Sequence, residues 1–217
     1  VLTASLMTML TSFIVMAVNT YLFKDYFGNA AALSIIGLVQ MASMFITVPL
    51  VKPLVAKFGK KEISVVGMAF ASVIYIALFF LKGITTMPFI AIVAIAMMSM
   101  SFYSFITYAF ISDVIDYHEY LTSLREDATV YSIVSMSRKI GQAVAGGIGG
   151  VAIAAVGYNA TLGAQPQEVL DGIYMLGTLV PGILYGIVAV VLFLYPLNKQ
   201  KTIQLSQDLA AKRKVNS

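Results

Sequence analysis

The stretch ATVYSIVSMSRKIGQAVAGGIGGVAIAAV, residues 128–156, decides how the whole chain is interpreted. It is long enough to cross a bilayer, because a spanning helix needs about 20 mostly apolar residues. It nevertheless carries Arg138 and Lys139 side by side near its middle. A cation at the centre of a bilayer costs roughly 2.5–3.5 kcal/mol on insertion scales and usually faces a polar cavity or a partner acid. The stretch therefore predicts a transmembrane helix that lines a pathway for a substrate or an ion.

The composition of the whole chain supports a membrane environment. Hydrophobic residues make up 59% of the 217 residues and charged residues only 11%, whereas soluble globular domains carry about 25% charged residues. We therefore expect lipid to surround most of the chain. The sequence has no cysteine, which excludes disulfides and thiolate chemistry. The net charge of +4 comes from a few loops and requires no nucleic-acid partner.

The hydrophobic pattern predicts an all-α integral membrane fold with six transmembrane helices. The predicted spans are residues 2–23, 33–55, 63–81, 88–112, 128–156 and 173–195. Together they form a six-helix half-bundle over residues 1–196, followed by a basic tail, residues 197–217. Two connections, 113–127 and 157–172, are about fifteen residues long. The chain starts in helical sequence without a Met, so we expect a fragment that lacks an N-terminal portion.

Positive charge is distributed unevenly between the two ends of the predicted bundle. Only Lys24 and Lys82 fall on one side. The other side carries ten basic residues: Lys52, Lys57, Lys60, Lys61, Arg125, Lys199, Lys201, Lys212, Arg213 and Lys214. Because cytoplasmic loops are enriched in Lys and Arg, we expect a multi-pass plasma-membrane protein with both chain ends in the cytoplasm. The tail is interpreted as a solvated basic anchor, with a short surface helix as the alternative.

Lys139 lies about 15 Å into its span, near the middle of a core about 30 Å thick. Ser135 and Ser132 precede it by four and seven residues and share its helix face, and Tyr131 lies nearby. This polar stripe is suited to hydrogen bonds with sugar hydroxyls or a carboxylate. Arg138 is offset by about 100° and is expected to point elsewhere, toward the cytoplasmic vestibule. No acid lies within the other five predicted spans, so we expect the partner of Lys139 on a missing portion or on the substrate.

The connection 113–127 concentrates acidic residues. Asp113, Asp116 and Glu119 fall on one face if the segment is helical. We interpret them as a solvated or salt-bridged cytoplasmic gate, with Arg125, Arg138 and the basic loop 57–61 as partners. A metal site is the weaker alternative, and we predict none. No catalytic constellation surrounds the single His118, and no phosphate loop or nucleophile motif appears, so we do not expect an enzyme.

Small residues and one proline characterise the last two spans. Gly141, Ala145 and Gly149 recur at four-residue spacing, which allows close helix approach in lipid. The spacing fits either tight static packing or a helix that slides against its neighbours. In the last span, Pro181 removes a backbone hydrogen bond and predicts a kink.

Several short motifs occur in order along residues 113–141: DVIDYHE at 113–119, RE at 125–126, YS at 131–132 and KIG at 139–141. The sequence FGKK at 58–61 belongs to the same pattern. Together they resemble the glycoside–pentoside–hexuronide cation symporters. That family has Asp-Tyr-x-Glu, a following Arg-x-Glu, and Tyr-Ser before a lysine in the penultimate helix.

The resemblance implies the C-terminal half of a twelve-helix major facilitator fold. It implies cation-coupled transport of a sugar or glycoside by alternating access, driven by H⁺ or Na⁺ and without a further cofactor. Lys139 would lie at the sugar and cation cavity, and the acids that bind the cation would belong to a missing N-terminal six-helix half. A bacterial inner membrane is the expected location. The alternatives are half of another major-facilitator transporter, for drugs or organic acids, or a six-span membrane scaffold.

Overall fold

The structure, a computed structural model, describes residues 2–215, with side chains described for residues 2–212. Every regular element in that range is a helix. The bounds are α1 Leu2–Tyr21, which continues into a π-helical turn Leu22–Tyr26, α2 Ala32–Phe58, α3 Lys60–Phe80, α4 Thr86–Thr122, α5 Asp127–Ala155, α6 Gln167–Gly177, α7 Leu179–Phe193 and α8 Lys199–Val215. The side chains of Arg213 and Lys214, which the charge count included, lie outside the described residues.

Five helical stretches in the described part of the chain are long and apolar enough to cross a membrane. They are Leu2–Tyr26, Ala32–Phe58, Lys60–Phe80, Thr86–Thr122 and Gln167–Phe193. The expectation of an all-α membrane fold is confirmed. Helix α5, the predicted fifth span, is not among the five, and its two cations and three serines lower its hydropathy.

Close backbone contacts organise the bundle around α3, which packs against α4 and α7. A Cβ added to Gly67 on α3 would lie 2.6 Å from the carbonyl oxygen of Ser99 on α4. A Cβ added to Gly182 on α7 would lie 3.0 Å from the backbone nitrogen of Ile76 on α3. The hydroxyl of Ser72 donates to the Gly182 carbonyl at 2.6 Å. Glycine at these two positions permits the helix separations that the fold requires.

Helix α5 packs along α1 through its small residues. Gly141 lies close to Leu6, and a Cβ added to Gly149 would be 2.6 Å from the Cβ of Ala17. Because both residue numbers increase together along the contact, the two helices run in the same direction. The small-residue spacing therefore serves close helix packing, as the sequence suggested.

Helix α2 is the least enclosed of the long helices. Its buried residues are Ala32, Ile36, Ser43 and Thr47, and it contacts mainly α4. Large apolar side chains project outward from it, including Leu38, Met41, Phe45, Val48 and Leu50. This face is suited to lipid or to another apolar helix bundle.

Helix α4 continues well beyond the predicted end of its span. It has 37 residues and ends at Thr122, so it is about 55 Å long at 1.5 Å per residue. Residues 113–127 are polar, and for that reason a connection was predicted there. No Gly or Pro occurs between residues 89 and 126, so nothing in the sequence ends the helix before Ser123, which has a positive φ of 59°.

The predicted last span is broken into α6 and α7 at Thr178. Pro181 cannot donate to the carbonyl of Gly177, four residues earlier, and its ring crowds that carbonyl. The hydroxyl of Thr178 donates instead to the carbonyl of Tyr174 at 2.6 Å. The break lies one turn before the proline, where a proline-induced distortion is expected.

The tail forms helix α8 and packs against α4. Leu205 and Leu209 are buried, and the Lys212 ammonium donates to the carbonyl of Tyr120 at 3.1 Å. The Lys199 ammonium donates to the carbonyls of Ala56 and Lys57 at the C-terminal end of α2. The described part of the tail is therefore a docked helix, the alternative that the sequence analysis had named beside a solvated anchor.

Candidate functional site

A polar concavity of about 470 Å³ lies between α1, α2 and α4. We call it the central cavity. Its size falls within the range of about 300–1,000 Å³ that small-molecule sites occupy. Met68 and Tyr75 of α3 and Tyr185 of α7 contribute to its lining. Its uncharged polar residues are Thr8, Ser12, Asn19, Thr20, Gln40, Ser101 and Ser104.

Two amides give the central cavity its hydrogen-bonding capacity. The side chains of Asn19 and Gln40 line the cavity, and neither forms a hydrogen bond with another residue that the structure describes. Each amide offers two donors and one acceptor oxygen. The nearby hydroxyl of Thr8 is already committed to the Ala4 carbonyl at 2.8 Å. A ligand rich in hydroxyl groups would find complementary partners here, beside the partly exposed ring of Phe13.

Lys139 lies on the exposed face of α5, opposite to the face that packs on α1. Ser132 and Ser135 line the same open concavity, together with Met136 and Ile140. Within residues 2–212, the Lys139 ammonium makes no hydrogen bond or ion pair. Lys139, Ser135 and Ser132 therefore share one face of α5, as their spacing indicates. Tyr131 is also exposed but does not line that concavity.

Arg138 occupies a different environment from Lys139. Its Nη1 donates to the Tyr108 hydroxyl at 3.2 Å, and its guanidinium carbon lies 5.9 Å from the centre of the Tyr108 ring. Ser5, Thr8, Tyr103 and Thr107 line a small cavity of about 60 Å³ beside it. The structure therefore separates Arg138 from the acidic residues with which the sequence analysis had grouped it.

Arg125 brings three carboxylates of the predicted gate together. Its guanidinium lies 2.9 Å from Glu119, 3.1 Å from Asp116 and 2.8 Å from Asp127. Hydrogen bonds to these carboxylates hold the pKa of Arg125 above its usual value, and the largest contribution comes from Glu119, followed by Asp127 and Asp116. The guanidinium therefore stays charged at every physiological pH. His118 contributes a further contact, 3.3 Å from Glu126.

Asp113 pairs separately, with Lys60 at the start of α3. The Lys60 ammonium lies 2.5 Å from the Asp113 carboxylate, and Asp113 is only 5% exposed. The basic loop 57–61 had been named as a partner for these acids, and Lys60 is the residue that makes the contact. In the part of the chain that the structure describes, no group of three or more acidic, His or Cys side chains is arranged to hold a metal ion.

Asn19 and Gln40 were not among the residues predicted from the sequence to line the site. Thr8, Ser12 and Asn19 recur along one face of α1 at helical spacing, and this periodicity was the available signal. Gln40 is followed by Ser43 and Thr47 at three and seven residues on α2, so a similar helical periodicity was available there. Neutral polar residues are common in membrane spans, so without the fold nothing distinguishes those that meet in a cavity.

Comparison with known proteins places these features in context. Residues 1–199 match the family described as "MFS/sugar transport protein". The symporter YjmB of Bacillus subtilis (strain 168), described as uncharacterized, is 31% identical over 199 residues, which are 90% of this chain and 42% of that protein. The glucuronide carrier protein homolog of Escherichia coli (strain K12) is 29% identical over 214 residues, 97% and 46%.

A third relative is the isoprimeverose transporter of Lactiplantibacillus pentosus, which is 28% identical over 184 residues. These residues are 84% of this chain and 38% of that protein. The chain therefore spans less than half the length of each of these three relatives.

Proposed function

We propose that this chain, which belongs to the MFS/sugar transport protein family, forms one six-span half of a cation-coupled sugar or glycoside symporter. Helix α5 would be the remaining span, beside the five apolar stretches. A second six-helix half would complete the carrier, and we use "complete carrier" for the two halves together. Members of the family and the relatives are membrane transporters, not enzymes.

The central cavity is the observation that carries this proposal. Its amides and hydroxyls are uncharged, and sugars present hydroxyl groups that both donate and accept hydrogen bonds. Phe13 also lines the cavity and is partly exposed, so its ring supplies apolar area for a face of a sugar ring. Two of the relatives are named for the transport of a glucuronide and of isoprimeverose, and these names support a ligand of sugar size.

The open faces of α2 and α5 are where we expect the second half to pack. Both faces are exposed in this chain, and the α5 face presents Lys139. A substrate site near the bilayer midplane, between two halves that rock against each other, is the usual arrangement of such transporters. A coupling cation, H⁺ or Na⁺, that binds the same state as the sugar would raise the affinity for sugar, and the sugar would raise that for the cation.

Exchange of labelled sugar by the complete carrier tests the proposed function. We expect proteoliposomes to exchange at least one labelled glycoside across the membrane. Replacing both Asn19 and Gln40 by Leu should reduce this exchange at least tenfold, because the ligand's polar groups then lose their partners. The matched control is Leu38→Met on the outer face of α2. Exchange of no sugar by the parent, or full exchange by the double variant, would contradict the sugar site.

We propose that the end of the bundle that carries Lys60, Arg125 and Lys199 faces the cytoplasm. Cysteines introduced at the exposed positions 57 and 210 should then resist an impermeant thiol reagent in intact cells, whereas one at residue 84 should react. The sequence has no native cysteine, so the background is clean. The reverse labelling pattern would overturn the orientation.

The Arg125 cluster is proposed to act as part of a cytoplasmic gate. Arg125→Gln removes the charge that holds Asp116, Glu119 and Asp127 together. We expect slower translocation with sugar binding retained, because the change alters the balance between inward-open and outward-open states. Binding and initial transport rates would be measured on the same preparation. An unchanged rate would leave the cluster as a solvated surface feature.

A further inference from the structure

We propose that Arg138, with the hydroxyls of Ser5 and Tyr103, forms a subsite for an anionic oxygen group, a carboxylate or sulfonate, carried by the substrate. The inference rests on the proposed function, since it assigns a substrate class to the same binding region. We call the 60 Å³ cavity that these residues line the anion pocket.

Arg138 carries a positive charge that no acid among the described residues neutralises. Its guanidinium contacts the Tyr108 hydroxyl and ring, and no carboxylate among the described residues lies within ion-pair distance of it. A guanidinium carries five donors, of which one Nη1 contact is used here. An arginine inside a membrane span is costly unless it meets a counter-charge or water. The anion pocket therefore has a positive charge and hydrogen-bond donors of Arg138 that no described residue uses.

A pair of unsatisfied hydroxyl groups adds to this charge. The Ser5 and Tyr103 side chains are 4% and 2% exposed. The hydroxyls of Ser5, Thr8 and Thr107 surround that of Tyr103, but neither Ser5 nor Tyr103 makes a hydrogen bond of good geometry to another described residue. Leaving such a group unpaired costs about 1–3 kcal/mol. Both residues line the same small cavity as Arg138. Two hydroxyl donors and a guanidinium form a set that an oxyanion satisfies better than a neutral group.

The position and size of the pocket fit one charged group of a sugar. Thr8 and Ser104 line both the anion pocket and the central cavity, so the two are neighbours. A volume of about 60 Å³ corresponds to roughly two water molecules at about 30 Å³ each. It holds a single carboxylate or sulfonate but not a sugar ring. A sugar acid in the central cavity would direct its charged group toward Arg138.

Matched pairs of sugars test the subsite in the complete carrier. The probes are methyl β-glucoside with methyl β-glucuronide, methyl β-galactoside with methyl β-galacturonide, and the 6-sulfonate of methyl glucoside. Equilibrium binding to the parent carrier should favour at least one oxyanion over its neutral partner by tenfold or more. The carboxylate and sulfonate arms reveal which oxyanion fits. Equal binding of every pair overturns the proposal, and the pocket would then hold water or an acid of the second half.

Variants assign the preference to Arg138. Arg138→Gln should remove the tenfold preference for the oxyanion, and an unchanged thermal unfolding midpoint reports that the protein is folded. Arg138→Lys should retain part of the preference, because it keeps the charge but loses the planar fork. The control is Lys201→Gln, an exposed residue of α8. A preference that survives in Arg138→Gln overturns the assignment.

If Arg138→Gln also loses binding of the neutral glycoside, the variants Ser5→Ala and Tyr103→Phe are tested in its place. Each should reduce the preference for the charged sugar over its neutral partner at least threefold. An unchanged preference in both would overturn the subsite. If the parent carrier binds no sugar, both the proposed function and the anion pocket are contradicted. Binding of neutral and charged sugars alike refutes the subsite alone.

Discussion

Lys139→Ala in the complete carrier is expected to reduce accumulation of sugar against its gradient by at least a hundredfold. Lys139 is exposed on the open face of α5 and has no ion-pair partner in the described part of this chain. We propose that an acid of the second half supplies the counter-charge. Breaking an enclosed pair costs about 3–5 kcal/mol, because one charge stays buried and unpaired.

The measurement compares accumulation in vesicles at matched expression under an imposed cation gradient. Lys201→Ala, which removes an exposed lysine of α8, should accumulate sugar as the parent does. Arg138→Ala should have a milder effect than Lys139→Ala on a neutral sugar. Normal accumulation by Lys139→Ala would show that this lysine is not part of the coupling site.

Asp113→Ala is expected to lower the stability of the complete carrier by about 2–3 kcal/mol. Its carboxylate is buried and pairs with Lys60, so the substitution leaves the ammonium without a partner. The side chain of Lys60 is 25% exposed, and water then offsets part of the 3–5 kcal/mol expected for a fully buried pair. Thermal unfolding in detergent would report the loss as a lower midpoint.

Asp116→Ala is the matched control, because Asp116 lies on the same helix in an exposed cluster. Surface ion pairs contribute about 0–1 kcal/mol, so its unfolding midpoint should hardly change. The double variant Asp113→Leu with Lys60→Met should recover much of the lost stability, since apolar replacement of a buried pair is often neutral. A single variant as stable as the parent would contradict the structural role of this pair.

The sequence predicted the membrane class and most helices because spans are set by runs of apolar residues. It did not predict the end of α4, since polarity at Asp113 ends a hydrophobic run without ending a helix. Pro181 predicted that the last span is distorted. The distortion lies at Thr178, because the proline ring crowds the carbonyl of Gly177. The family resemblance, drawn from motifs in residues 113–141, is confirmed, and so is the expectation that the chain is not an enzyme.

The candidate site was harder to predict than the fold. Charge made Lys139 and Arg138 conspicuous, and the structure places Lys139 in the open concavity with Ser132 and Ser135 and Arg138 beside Tyr108. Sequence spacing could not show that Arg138, Ser5 and Tyr103 line the same cavity, because this depends on how α1, α4 and α5 pack. Asn19 and Gln40 lie on different helices, and only the fold brings them to one cavity. The assignment of Lys139, Ser135, Ser132 and Tyr131 to a coupling site stays a prediction.

Gradient-driven uptake by the complete carrier tests the central claim most directly. Proteoliposomes would be loaded so that a Na⁺ gradient, a H⁺ gradient or neither is imposed, and the internal concentration of labelled glycoside would be followed. We predict that one of the two gradients drives the internal concentration well above the external one, and that dissipating this gradient releases the sugar. Equal internal and external concentrations under every gradient would contradict cation-coupled symport.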